Sequence, residues 1–126
     1  MSITAHRQAV ESLLAGLNAR VDAPTYPRTV VHIDAGPGWG DSRRMTTDYA
    51  AREYLVHTNV HAVSKPQCEA LLDRVMGLEG LRPVVAGRLC DPLTVYMQRG
   101  PTNDPDLPDS AVWSASVVWT LRSYLT

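Results

Sequence analysis

Two histidines, His57 and His61, stand four residues apart in the run Val56-His-Thr-Asn-Val-His61. On a helix that spacing would stack both imidazoles on one face, as zinc sites require. The surrounding residues alternate instead. Tyr54, Val56, Thr58, Val60 and Ala62 fall on one side, and Leu55, His57, Asn59 and His61 on the other. Alternation marks a half-buried strand, on which a ~3.3 Å rise per residue sets the two rings about 13 Å apart. Bonds of about 2 Å from each nitrogen cannot share an ion across that gap. Solvated or contact histidines are therefore expected, and no metal ligand is assigned.

The stretch Gly36-Pro-Gly-Trp-Gly40 has the glycines of a phosphate loop. It lacks both the Gly-Lys-Ser/Thr ending and the Gly-x-Gly-x-x-Gly run into a helix. Pro37 also removes an amide that an anion cradle would use. A rigid inter-strand loop presenting Trp39 is the simpler reading. Arg43 and Arg44 follow it, suited to phosphate or to a neighbour's carboxylate. Asp104, Asp106 and Asp109 crowd a proline-rich stretch without the EF-hand pattern, which reads as a solvated acidic loop. Cys68 and Cys90 form no Cys-x-x-Cys pair and read as reduced, structural thiols. No local signature of a Ser-His-Asp or Cys-His site is present. No catalytic, cofactor or metal residue is assigned, no cofactor is implied, and the chain is expected not to be an enzyme. The candidate functional residues are contact residues: Trp39, Arg43, Arg44, Asp104, Asp106 and Asp109.

The elements that must position these groups follow from hydrophobic spacing. Val10, Leu13, Leu14 and Leu17 keep helical spacing across residues 4–18, with Thr4 as N-cap and Asn18 as stop. Pro24 and Pro27 break the connector that follows. The β-branched run Thr29 to Ile33 predicts a strand, and 47–63 predicts a longer one. Ser64 and Gln67 form a capping box, and Pro66 suits the first turn of a helix. Cys68, Leu71, Leu72, Val75 and Leu78 make its apolar stripe, ended by Gly77 or Gly80. Residues 83–88 and 93–99 predict short strands, and 100–109 a loop. Alternation returns in 111–125, where Trp113, Ala115, Val117, Trp119 and Leu121 share a face. Ser114, Ser116, Thr120 and Arg122 line the other, interrupted by Val118. The fold class predicted is α+β: one domain over 1–126, a mainly antiparallel sheet with two helices packed on one face.

Composition narrows the function. The 126 residues suit one domain, and 44% hydrophobic with 20% charged residues argues against wholesale disorder. The net charge of −1 supplies no field toward nucleic acid or membrane. No apolar run approaches a membrane span, and the first residues lack a signal-peptide pattern, so a cytoplasmic start is expected. Among lysines and arginines, every cation except Lys65 is arginine; a GC-rich genome is the simpler account of that bias, which also suits planar pairing across subunit contacts.

One resemblance spans nearly the whole chain. The succession of a helix, a strand ending in Gly-Pro-Gly-Trp at 36–39, and a long strand running into a capped helix is its first part. That second part reads Val60-His-Ala-Val-Ser-Lys-Pro-Gln-Cys-Glu-Ala-Leu-Leu-Asp-Arg-Val75. Leu81-Arg-Pro-Val-Val-Ala-Gly-Arg88, a loop and a long closing strand complete it. The pattern resembles small tail-completion proteins of long-tailed phages, especially those of actinobacteria, similar in fold to the lambda-type tail terminator. It is a pattern of elements and soft motifs, and the 100–109 loop has no counterpart in it. The resemblance implies a virion protein at the head-proximal end of the tail, assembled in the host cytoplasm. It implies a homo-oligomeric ring, a hexamer, that caps the tail tube protein, joins the head–tail connector protein and lets duplex DNA pass without tight sequence-specific binding. Trp39 in its glycine loop and the tryptophans of the closing strand read as contact anchors of such a ring. The alternatives are another head–tail connector or minor tail subunit, or a small cytosolic α+β enzyme or ligand-binding domain, which would need a pocket with converging polar groups.

Overall fold

A computed structural model of the chain describes residues 2–35, 51–103 and 112–125. Its elements run in the order helix α1 (Ser2–Gly16), strand β1 (Arg28–Ala35), strand β2 (Ala51–Ala62), helix α2 (Lys65–Val75), a 3-10 turn (Met76–Leu78), and strands β3 (Arg88–Cys90), β4 (Thr94–Asn103) and β5 (Trp113–Leu125). The strands form one antiparallel sheet, β1-β2-β5, whose outer edge on β5 is shared end to end by β3 and β4. The α+β class expected from the sequence is the class observed.

Pairing follows the alternation in the sequence. Thr29 sits opposite Val60 and Val31 opposite Thr58. Val56 faces Trp119, Tyr54 faces Leu121, and Val60 faces Ala115. All of these side chains are buried and on one face. Val10 and Leu14 from α1 join the same core as Cys68, Leu71, Leu72 and Val75 from α2. Both helices therefore cover the same side of the sheet. Trp119 is fully buried. Its indole N–H donates to Thr58 Oγ1 at 3.1 Å, and that hydroxyl donates onward to the Val117 carbonyl at 2.9 Å. A buried indole needs such a partner, and Thr58 supplies it from the neighbouring strand. Trp119 is thus a core residue, which corrects its expected role as a contact anchor.

Helix ends match their chemistry in most places. Gln67 N donates to the Ser64 hydroxyl at 3.3 Å, while the Gln67 amide oxygen accepts from Val63 N, one residue before the cap. Asn18 stops α1 with a left-handed φ of 57°. Asn18 N bonds the Ala15 carbonyl and Ala19 N bonds the Leu14 carbonyl, the paired bonds of a Schellman ending. Thr4 is not the N-cap, because α1 already begins at Ser2. Gly77, in the 3-10 turn after α2, sits close to the residue that follows α1: a Cβ there would meet the Leu17 side chain at 3.1 Å.

Two boundaries differ from expectation. Residues 83–88 hold only an isolated bridge from Val85 to Arg88, and the strand starts at Arg88. Pro83 has no amide to donate and Gly87 turns with a φ of +76°, so the two valines between them cannot extend a ladder. Residues 100–103 belong to β4 and not to a loop. The register slips between Arg99 and Thr102, where Gly100 crosses so close to β5 that a Cβ would lie 2.7 Å from the Ser114 carbonyl.

Candidate functional site

All six candidate contact residues, Trp39, Arg43, Arg44, Asp104, Asp106 and Asp109, lie outside the described residues. The described surface offers two other places, and the core holds a third cluster with chemical potential.

The first place is the face of the sheet that α1 and α2 leave open. Register builds it in rows. Arg28, His61, Ser114 and Thr102 lie side by side, next to Val30, Asn59, Ser116 and Arg99. His32, His57, Val118 and Met97 form a third row, and Asp34, Leu55, Thr120 and Thr94 a fourth. The His57 ring lies 3.2 Å from the Asp34 carboxylate. His61 Nδ1 is 3.0 Å from the Ser114 hydroxyl. Burial, and then the nearby Arg28 guanidinium, push the His61 pKa below its ordinary value of 6.5. A depression of about 150 Å³ opens here, lined by Asn59, His61, Arg99, Thr102, Ser114 and Ser116. Beside the open face, β4 is exposed along most of its length, with Tyr96 at 58% and Met97 at 44%. His57 and His61 do share a strand face, as expected, with Asn59 between them. Among the described residues, no group of three or more His, Cys, Asp or Glu side chains is placed to hold a metal ion.

The second place is a groove of about 620 Å³ in the helix layer, between α2 and the connector that follows α1. Val21, Pro27, Ala70 and Leu71 give it an apolar floor, and Arg20 and Arg74 are the charged side chains that line it. Its shape depends on the connector. Three residues there, Asn18, Arg20 and Asp22, take positive φ. The segment is then tied to β1, with Thr29 N donating to the Arg20 carbonyl and Asp22 N to the Thr29 carbonyl. The Arg20 guanidinium bonds the Pro27 carbonyl at 2.6 Å and the Thr25 hydroxyl at 3.3 Å. Arg74 donates to the Asn18 carbonyl at 3.2 Å.

The third is buried. His6 Nε2 lies 2.8 Å from the Ser123 hydroxyl, with both residues fully buried. The His6 ring packs 4.6 Å from that of Tyr54. Arg88 donates from Nε to the same hydroxyl and from Nη2 to the Ser123 carbonyl. A serine paired with a histidine invites a nucleophile reading, yet neither residue is exposed to any substrate. Cys90 lies beside them, and burial raises its thiol pKa above the ordinary value despite Ser123 and Arg88. Burial, aided by Glu69, does the same to Cys68. Both cysteines are free of disulfides and buried, so they are held as unreactive thiols.

Sequence reasoning missed the groove and the buried cluster. Ser123 did carry a signal: it continues the inward series Trp113 to Leu121, so a polar group was due inside and needed a partner. The groove left no local trace, because it joins residues from three separate segments. Among the described residues, no helix is long and apolar enough to cross a membrane. No protein-family model matches the chain, and a search of curated proteins returns no relative.

Proposed function

We propose that this chain is a structural virion protein, a subunit of a ring at the head-proximal end of a phage tail. The ring ends the tail tube and joins it to the head connector. The observation that carries the reading is the sheet face that no described element covers. Among the described residues, two helices cover one side, while on the other side four rows of side chains, partly or well exposed apart from the buried Val118, have no element packed over them, flanked by an exposed β4 with Tyr96 and Met97. Such a face, with aromatic and arginine anchors near it, is the material of a subunit contact. The α+β arrangement also agrees with the tail-terminator resemblance of the sequence. The arginine-rich set of cations is compatible with contacts of this kind, since a planar guanidinium pairs well with a neighbour's carboxylate.

On this reading the partners are further copies of the chain, the tail tube protein and the connector protein. Duplex DNA passes through the ring without being held. A near-neutral subunit does not offer the many phosphate contacts of a strong DNA binder. The test is the mass of the purified chain in solution, followed by its position in the assembled particle. A closed ring between tube and connector is the expected result. An isolated monomer in the particle would sink the reading, and a position elsewhere in the tail would favour a connector or minor tail subunit.

A further inference from the structure

We propose that the depression on the open sheet face binds one tetrahedral oxyanion of the phosphate or sulfate class. Every group involved belongs to one chain, so the site stands independently of the ring reading. Three neighbouring strands line it: β2 with Asn59 and His61, β5 with Ser114 and Ser116, and β4 with Arg99 and Thr102. These residues occupy two adjacent rows and rise from one small area. Hydroxyl, amide and guanidinium groups all donate hydrogen bonds, and no lining residue carries a carboxylate. Among the described residues, the side chains of Asn59, Thr102 and Ser116 make no hydrogen bond, so their donors are available. A volume of about 150 Å³ falls below the roughly 300–1,000 Å³ of pockets that enclose a drug-sized ligand. A small ion fits that space.

Charge points the same way. Arg99 Nη2 lies 3.8 Å from Met97 Sδ, a weak acceptor that offsets no charge. Arg28 stands opposite His61 in the ladder, and its buried Nε has no partner among the described residues. Among those residues neither arginine is paired with a carboxylate. Strands β4 and β5 contain no carboxylate, and those of β1 and β2 are engaged elsewhere, Asp34 with His57 and Glu53 with Arg122. Asp34 is six residues from Arg28, roughly 20 Å along the strand at ~3.3 Å per residue. That exceeds a Debye length of about 8 Å. The corner therefore keeps a positive potential, which a dianion satisfies. Duplex DNA needs a cation for each of several phosphates, and this corner supplies two arginines.

His61 makes the site sensitive to pH. Facing it are Arg28 from β1, Ser114 from β5, and Arg99 and Thr102 from β4, with His32 and His57 two rows away. Burial and Arg28 hold its pKa below 6.5, so the ring is neutral at neutral pH. A dianion beside it favours the imidazolium and raises that pKa. By linkage, the anion binds more tightly as pH falls.

The experiment is calorimetric titration of the full chain at low salt with inorganic phosphate and, separately, with sodium sulfate. One anion per chain is expected, saturating by about 10 mM, where even a millimolar site fills. Arg99→Gln, at an exposed position, should weaken uptake by about tenfold, and Ser116→Ala by a few-fold. Sulfate stays doubly charged across the range, so its pH dependence reports on the protein. From about pH 7.5 to about pH 5.5 it should bind the wild type more tightly and His61→Gln unchanged. In the wild type, sulfate should also raise the midpoint of the His61 ring in an NMR titration. The absence of saturable uptake of either anion overturns the proposal, as does uptake that Arg99→Gln leaves unchanged. If Arg99→Gln weakens association between chains but not anion uptake, the guanidinium serves a subunit contact and the anion site fails. Binding of a short DNA duplex by a chain that ignores phosphate and sulfate overturns it as well.

Discussion

Strand β5 holds two histidine–serine pairs, one on each face of the sheet. On the covered face His6 reaches Ser123 at 2.8 Å, with neither residue exposed. On the open face His61 reaches Ser114 at 3.0 Å, in a half-buried depression beside Arg99. The same two side chains do different work because their surroundings differ. Ser123 is also bonded by Arg88 through its hydroxyl and carbonyl. The inner pair is thus one part of a network that joins α1, β3 and β5, and losing a member strands the others inside the core. The outer pair is reached by solvent, so water can replace either partner. A residue pair that resembles catalytic machinery is therefore structural or available according to which face of one strand carries it.

The largest expected effect lies on the covered face. Trp119→Ala removes a fully buried indole and leaves Thr58 without its donor. Chemical denaturation should register a loss of about 3–5 kcal/mol. A loss under about 1 kcal/mol would mean that the two faces are assigned the wrong way round. The same substitution at both histidines then sharpens the comparison. His6→Gln should cost about 1–3 kcal/mol, because the amide cannot both fill the ring's place against Tyr54 and satisfy the buried hydroxyl. His61→Gln should stay within about 0.5 kcal/mol at neutral pH, as exposed and half-exposed sites usually do. Equal losses at both positions would break the distinction. Between these lies the cap of α2. Ser64→Ala removes the oxygen that accepts from Gln67 N and should cost about 1 kcal/mol.

Much of this contrast was legible in the sequence. Period-two spacing in 54–62 and 113–121 named the inward residues of both central strands correctly, because one face had to be apolar and the other did not. The capping box placed the start of α2, since its signals are all within a few residues. What the sequence concealed depended on distance along the chain or on backbone geometry. His6 and Ser123 are 117 residues apart. The groove needs three positive-φ residues in one connector, of which none is glycine. Residues 83–88 misled because Val84 and Val85 look like a strand, while Pro83 and Gly87 set the backbone. Val84 is in fact 86% exposed. The contact residues chosen from sequence, Trp39, Arg43, Arg44, Asp104, Asp106 and Asp109, lie outside the described residues, so the contrast between faces rests on other side chains.

The smallest effect concerns acid. In the folded chain the pKa of His61 is lowered from 6.5, chiefly by burial and then by Arg28, its neighbour on β1. In the unfolded chain it returns to its ordinary value. Well above that value the ring is neutral in both states and contributes nothing to pH dependence. As pH falls through 6.5 the unfolded chain takes up the proton first, which favours unfolding. The loss grows until pH passes below the folded-state value, and there it levels off. His61 therefore makes the fold less stable on acidification, and replacing it should flatten the fall. A set of Tm values measured from about pH 5 to pH 7.5 should decline less steeply for His61→Gln than for the wild type. Arg28→Gln should remove the smaller part of the effect, because it takes away the charge and leaves the burial. The direct readout is an NMR titration of the His61 ring. A midpoint at or above 6.5 would contradict the lowered value and show that the depression on the open face stabilises an imidazolium.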